Sequence, residues 1–156
     1  MIILGVDPDS KAHGVAEYHN GVLVNLNSLD LMSIYLNLEN TLIDMEVRGG
    51  DEKLEVHIED VNAVSAAFNA KNKKANINVK LKMAQHIGMC KQAQIEIERV
   101  CDHFGVKVVK HKISKNWKDQ AGKKQFESVT GWKGRSNEDT RSAAYFGFLG
   151  HKNGIK

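Results

Sequence analysis

The sequence begins with Met1-Ile2-Ile3-Leu4-Gly5-Val6-Asp7-Pro8-Asp9, a run of branched apolar residues that ends at an acid. Such a run is typical of a buried strand. Pro8 cannot donate a hydrogen bond to a neighbouring strand, and it favours an extended backbone at Asp7. We therefore expect the carboxylate of Asp7 to leave the sheet at the carboxyl end of the first strand. A buried carboxylate needs a cation or hydrogen-bond donors, so Asp7 either caps a turn or belongs to a functional site.

An antiparallel meander is predicted next. Residues 13–19 alternate between apolar and polar side chains, which indicates a half-exposed strand. Asn20-Gly21 is the strongest short hairpin signal, and residues 22–26 supply the partner strand. The chain is thus expected to open with three antiparallel strands.

A helix and a second acidic strand follow the meander. Apolar residues at helical spacing predict a helix over 32–48, ended by Gly49-Gly50. Residues 54–60 then read as a fourth strand. If this strand lies parallel beside the first, the helix is their crossover, and Glu59 occupies the same strand-end position as Asp7.

The remaining elements are mostly helical. Residues 61–78 are polar and predict a loop or a frayed helix start, and residues 106–109 predict a fifth strand. A short helix is expected over 125–129 and a last helix from the N-cap Asn137 to 149. A long amphipathic helix is predicted over 79–104, with one apolar stripe that forms core or is shared with a second subunit: Met83, Ala84, Ile87, Cys90, Ala93, Ile97, Val100, Cys101 and Phe104.

Length and composition favour an ordinary cytoplasmic domain. At 156 residues, we expect one domain over 1–150 and a short tail over 151–156. No segment reaches the roughly 20 apolar residues of a membrane span, and no signal peptide is apparent. The two cysteines, Cys90 and Cys101, would lie about 16 Å apart on one helix. That is too far for a disulfide, so we expect buried thiols, and their spacing shows no zinc pattern.

Charge is divided unevenly along the chain. Residues 1–60 hold three basic and twelve acidic side chains, whereas residues 61–156 hold nineteen basic and seven acidic ones. A basic region with clustered lysines is typical of proteins that bind polyanions, although a solvated lysine surface gives the same pattern.

Four acidic side chains suit a divalent cation site. Asp7 and Glu59 end strands, while Glu138 and Asp139 begin the last helix. Mg²⁺ prefers oxygen ligands and takes one or two carboxylates together with water and phosphate. Two such ions can promote hydrolysis of a phosphodiester. The competing interpretation of Glu138 and Asp139 is compensation of the helix dipole.

The order of elements and acids resembles the RNase H-like fold, and within it the RuvC-type Holliday junction resolvases, in their compact phage-type form. The resemblance rests on Gly5-Val6-Asp7-Pro8-Asp9-Ser10, on Ile58-Glu59-Asp60-Val61, and on Val129-Thr130-Gly131 followed by residues 137–144. It implies an α/β fold with a five-stranded mixed sheet, three antiparallel strands then two parallel ones, flanked by helices.

The resemblance also implies an activity. The RuvC-type resolvases are homodimeric endonucleases that nick opposed strands of a four-way DNA junction. They use two Mg²⁺ ions per site, and Mn²⁺ can substitute for Mg²⁺. Asp7, Glu59 and Asp139 match three of the family's metal ligands. The fourth position, usually Asp, is Ser142 here. Glu138 would then complete the site, or the second ion would bind loosely, or the chain would be less active than its relatives.

DNA contacts are expected from a loop aromatic and from lysines. Phe68 lies where the family inserts an aromatic wedge at the crossover, although a core contact would explain it equally. Lysines that could neutralise phosphates, making binding salt-dependent, are Lys71, Lys73, Lys74, Lys110, Lys112, Lys115 and Lys118.

Two other functions remain open at this stage. The acidic set does not choose the substrate, so a nuclease acting on RNA–DNA hybrids or on other branched DNA fits equally. Ser142 also keeps open a junction-binding protein with weak or no cleavage.

Overall fold

The computed structural model describes residues 1–49, 52–63 and 76–154. Within these ranges the chain forms five strands and four helices. In chain order they are β1 (Ile2–Asp7), β2 (His13–His19), β3 (Val22–Leu29), α1 (Leu31–Arg48), β4 (Leu54–Glu59), α2 (Ile77–His103), β5 (Lys107–His111), α3 (Gln120–Thr130) and α4 (Glu138–Gly154).

The five strands form one mixed sheet in the order β3-β2-β1-β4-β5. The first three strands pair antiparallel, whereas β1–β4 and β4–β5 pair parallel. The predicted α/β fold with a five-stranded mixed sheet, three antiparallel strands and then two parallel ones, is therefore confirmed. Asn20 and Gly21, with φ of 48° and 85°, make the predicted hairpin turn, and left-handed Gly49 ends α1.

Strand alternation distributes the core over both faces of the sheet. Ile2, Leu4 and Val6 pack with residues of α1 and α2. Ile3 faces the opposite side, where it packs with Ala143 and other residues of α3 and α4. Asp7 has the parity of Ile3. Glu59 directly follows Ile58, which packs in the core with α1 and α2, so alternation turns Glu59 to the opposite face. Both acids therefore project towards the α4 side.

Helix α4 approaches β1 closely because two glycines meet there. A Cβ on Gly5 would collide with the carbonyl oxygen of Ala143, and one on Gly147 would lie 2.7 Å from the Tyr18 ring. The Tyr18 hydroxyl donates a 2.8 Å hydrogen bond to the Ala144 carbonyl. This backbone-to-backbone packing fixes α4, and with it the acids at its start, against the centre of the sheet.

Several predicted boundaries differ from the observed ones. Helix α3 begins at Gln120, earlier than predicted, because Asp119 caps it by accepting a 2.6 Å bond from the Gly122 N–H. Helix α4 continues to Gly154. The apolar stripe of α2 is only partly core, since Ile97 and Cys101 are buried but Met83 and Ile87 are exposed. Among the described residues, no helix has the length and apolar character to cross a membrane.

Candidate functional site

Asp7 and Glu59 lie side by side at one edge of the sheet. The parallel register places Val6 opposite Ile58, so the next residue of each strand is an acid at the same level. Both are 4% exposed. The Lys118 ammonium lies 3.0 Å from Asp7 Oδ2 and 3.8 Å from Glu59 Oε2. One cation of the chain therefore sits between the two predicted site acids.

Burial and charge set the ionisation of this pair. Desolvation and the nearby Asp7 carboxylate raise the pKa of Glu59 to about 7, against the opposing effects of Lys118 and of the Ser114 N–H. That N–H donates a 3.2 Å hydrogen bond to Glu59 Oε1. Burial acts to lower the pKa of Lys118, but Asp7 and Glu59 raise it overall. The lysine therefore stays charged beside the acids.

The loop that carries Lys118 is anchored from α4. Trp117 is buried with a left-handed φ of 64°, and its ring packs against Phe126, Tyr145 and Phe148. The buried Arg141 guanidinium donates to the carbonyls of Trp117 (2.7 Å) and Lys118 (2.5 Å). Trp117 is thus a loop anchor, and Arg141 positions the backbone of Lys118.

Asp139 lies near the two strand-end acids. Asn137 caps α4 as predicted, accepting a 2.8 Å bond from the Thr140 N–H. Gly14, which pairs with Asp7 across β1–β2, leaves room for the Asp139 carbonyl, since a Cβ there would collide with it. Burial, followed by the charges of Asp7 and Asp9, raises the pKa of Asp139. Its carboxyl group therefore lies within the field of the strand-end acids.

The two other candidates on α4 differ in exposure. Glu138 is exposed, and its described effect on the site is to raise the pKa of Asp139, as the smallest of five contributions. Ser142, one turn after Asp139, is buried, and its Oγ has no hydrogen-bond partner among the described residues. The position that the resemblance assigns to a fourth ligand thus holds an unsatisfied hydroxyl.

The structure describes four of the predicted DNA contacts: Lys110, Lys112, Lys115 and Lys118. Phe68, Lys71, Lys73 and Lys74 lie outside the described residues. Lys110 forms a 2.9 Å ion pair with Glu98. Lys112 and Lys115 are exposed on the segment between β5 and Lys118, which places them next to the acidic site in sequence.

The donor set fits a divalent cation. Asp7, Glu59 and Asp139 offer carboxylate oxygens, the ligands that Mg²⁺ and Mn²⁺ favour. Asp7 Oδ2 is buried, and its only close cationic neighbour among the described residues is the Lys118 ammonium at 3.0 Å. Burial, and then the charge of Asp7, raise the pKa values of Glu59 and Asp139. A bound cation would offset the negative charge of these acids.

Sequence reasoning missed three features around this site. Lys118 was predicted to contact phosphate, and its ion pairs with the acids had no sequence signal. Arg141 lies in the segment that carried the resemblance, yet its contacts cross to a distant loop. His57 and His111 form a pair on the α4 side, with His57 Nδ1 2.8 Å from His111 Nε2. Alternation within β4 places His57 on the same face of the sheet as Glu59. Its contact with His111 could be predicted only once the pairing of β4 with β5 was known.

Comparison of the sequence with protein-family models and with curated proteins finds no match. Comparison of the structure with solved structures does. The fold is similar to that of Thermus thermophilus RuvC in complex with a Holliday junction substrate, with a TM-score of 0.59, 12% identity and coverage of 98% of this chain and 94% of that one. A second Thermus thermophilus RuvC structure gives a TM-score of 0.51, 13% identity and coverage of 95% and 92%. The resemblance to RuvC-type resolvases is thereby confirmed as a shared fold over nearly the whole chain.

Proposed function

We propose that this protein is a divalent-metal-dependent endonuclease that cleaves four-way DNA junctions by paired phosphodiester hydrolysis. The observation that carries the proposal is the juxtaposition of Asp7 and Glu59, both buried at the ends of adjacent parallel strands and both within 3.8 Å of one ammonium group. The fold supports it, because a structure of similar fold was solved with a Holliday junction substrate.

In this proposal Asp7, Glu59 and Asp139 hold the cations, and Ser142 or Glu138 is the fourth ligand. When bound, Mg²⁺ or Mn²⁺ would activate the attacking water and stabilise the leaving oxygen of the phosphodiester. The sheet edge and the close packing of α4 orient the three carboxylates before any cation arrives. Such preorganisation lowers the cost of assembling the site around the scissile phosphate.

Lys118 has two roles in the proposal. Without a divalent cation, its ammonium offsets part of the charge of Asp7 and Glu59. When a divalent cation binds Asp7 and Glu59, it takes over this charge compensation. The Lys118 ammonium then remains near the site, where a positive charge stabilises a phosphate. Arg141 holds the Lys118 backbone by two hydrogen bonds, so it acts as a positioning residue.

Exposed apolar residues support a homodimer. Among the described residues, the predicted stripe of α2 is exposed at Ile87, and the same half of the helix also exposes Leu81 and Met89. Apolar patches of this kind commonly mark protein interfaces. A second copy of the chain seated there would present two sites, as paired nicks require.

Incubation of the protein with synthetic four-way junctions, forks, duplexes and RNA–DNA hybrids in the presence of Mg²⁺ tests the function. We expect symmetrical nicks in the four-way junction, loss of nicking in Asp7→Asn and Asp139→Asn, and retained junction binding in both. Asp44→Asn, which alters an exposed acid of α1, serves as the matched control and should cleave like the wild type.

The other outcomes have defined meanings. Preferential cleavage of hybrids or forks would change the proposed substrate but support the proposed nuclease activity. Tight junction binding without nicks would identify a binding protein. Undiminished cleavage by Asp7→Asn would show that the acidic site does not catalyse the reaction.

A further inference from the structure

A second cluster of metal-binding side chains lies beside the acidic site. It consists of Asp9, just after β1, and of His86 and Cys90 on α2. The last two are four residues apart, so a helix presents them on one face. None of the three is a carboxylate of the proposed nuclease site.

The separations within this cluster match a tetrahedral ion. His86 Nε2 lies 3.5 Å from Asp9 Oδ1, Cys90 Sγ lies 3.6 Å from the same oxygen, and the sulfur and nitrogen are 3.7 Å apart. Zinc bond lengths of about 2.0–2.3 Å and tetrahedral angles require ligand separations of about 3.3–3.6 Å. The three donor atoms therefore stand within about 0.2 Å of the triangle that Zn²⁺ requires.

We propose that Asp9, His86 and Cys90 form a Zn²⁺ site that is separate from the Mg²⁺ site. A thiolate and an imidazole select Zn²⁺ or Co²⁺ over the hard cations that carboxylates hold. Three protein ligands leave the fourth tetrahedral position to water. No zinc pattern was visible in the sequence because Asp9 is far from the other two ligands along the chain, and the fold alone brings it near.

The site would fasten the first half of α2 to the end of β1. That half of the helix is largely exposed, whereas its second half packs against the sheet through Ile97 and Cys101. Zn²⁺ would therefore order the part of α2 that borders the acidic pocket. The inference does not depend on nuclease activity.

Co²⁺ titration of the metal-free, full-length protein with Mg²⁺ in excess tests the site. We expect a thiolate-to-cobalt charge-transfer band and tetrahedral d–d bands, which one equivalent of Zn²⁺ removes. Cys90→Ser should lose the charge-transfer band, and His86→Ala and Asp9→Asn should weaken Co²⁺ binding by at least about tenfold. Zn²⁺ should raise the thermal midpoint of the wild type and not that of Cys90→Ser.

Control variants separate this site from others. His103→Gln removes the other histidine of α2 and should keep full binding, as should Glu59→Gln in the acidic pocket. Absence of the charge-transfer band in the wild type would overturn the proposal and identify a hydrogen-bonded cluster only. Persistence of that band in Cys90→Ser, or its loss in Glu59→Gln, would equally overturn it by assigning the ion elsewhere.

Discussion

Glu59 occupies an unfavourable environment for a charged side chain. It is buried beside Asp7, and its pKa is raised to about 7, whereas an unfolded chain gives a glutamate about 4.3. Between these values the folded protein binds more protons than the unfolded one. The contribution of Glu59 to the free energy of unfolding is therefore fully present below about pH 4 and is lost as the pH rises through 7.

The first prediction follows from this sign. In metal-free protein at pH 8, Glu59→Gln should raise the free energy of unfolding, by up to about 3–4 kcal/mol, because a neutral amide avoids the cost of ionisation. The difference should vanish near pH 4. Urea denaturation in EDTA at both pH values measures it. A Gln variant less stable than the wild type at pH 8 would show that Glu59 is well compensated by Lys118.

Ser142 supports a second prediction at the same scale. Its hydroxyl is buried without a partner among the described residues, so Ser142→Ala should leave stability unchanged or slightly higher. Ser142→Asp should lower metal-free stability by about 3 kcal/mol, the cost of an uncompensated buried charge, and should lower the Mg²⁺ concentration for half-maximal cleavage. Denaturation and metal titration of both variants test this. A cleavage defect of tenfold or more in Ser142→Ala would instead make the hydroxyl a ligand.

At the scale of elements, the contact between β1 and α4 decides the geometry of the site. Gly5 faces the Ala143 carbonyl and the Gly147 N–H without space for a side chain. Because neighbouring parts of β1 and α4 carry Asp7 and Asp139, a change in this contact shifts one acid relative to the others. Small displacements of this kind cost activity strongly.

Gly5→Ala is therefore predicted to destabilise the fold by about 2–4 kcal/mol, as an overpacked backbone contact does, and to reduce Mg²⁺-dependent cleavage in the protein that remains folded. Gly88→Ala is the matched control, because its Cβ would meet no atom of the described residues within 4 Å and alanine favours a helix by about 1 kcal/mol. Thermal denaturation of both variants measures the effect. Equal stability of the two would mean that α4 shifts freely on the sheet.

The predictability of the elements follows from the range of the interactions that form them. The Asn20-Gly21 turn and the Asn137 cap depend on neighbours in sequence, and both were predicted. The start of α3 was missed, although Asp119 is a good cap, because apolar periodicity begins only later. The Lys118 loop was missed because Arg141 holds it from a distant helix. Asp7, Glu59 and Asp139 were predicted as site residues from strand ends and the resemblance, whereas the position of Lys118 beside Asp7 and Glu59 required the fold.

At the scale of the whole molecule, the proposed dimer gives a fourth prediction. Ile87→Glu places a charge on the exposed stripe of α2 and should convert a dimer to monomer, abolishing paired nicks while leaving the fold intact. Ile43→Glu alters a residue of α1 that is also exposed (51%, against 38% for Ile87) and should remain dimeric. Light scattering after size-exclusion chromatography distinguishes them. A monomeric wild type would exclude the homodimer.

The Lys118 ion pairs bear on how the protein matures. The chain supplies a positive charge of its own to the acid pair, so we expect it to fold in the absence of an external ion. Chelation of the divalent metal should stop the proposed cleavage without unfolding the protein, and adding the metal back should restore cleavage at once. With the proposed activity, the concentration of the divalent metal would therefore control DNA cleavage reversibly, without new protein synthesis.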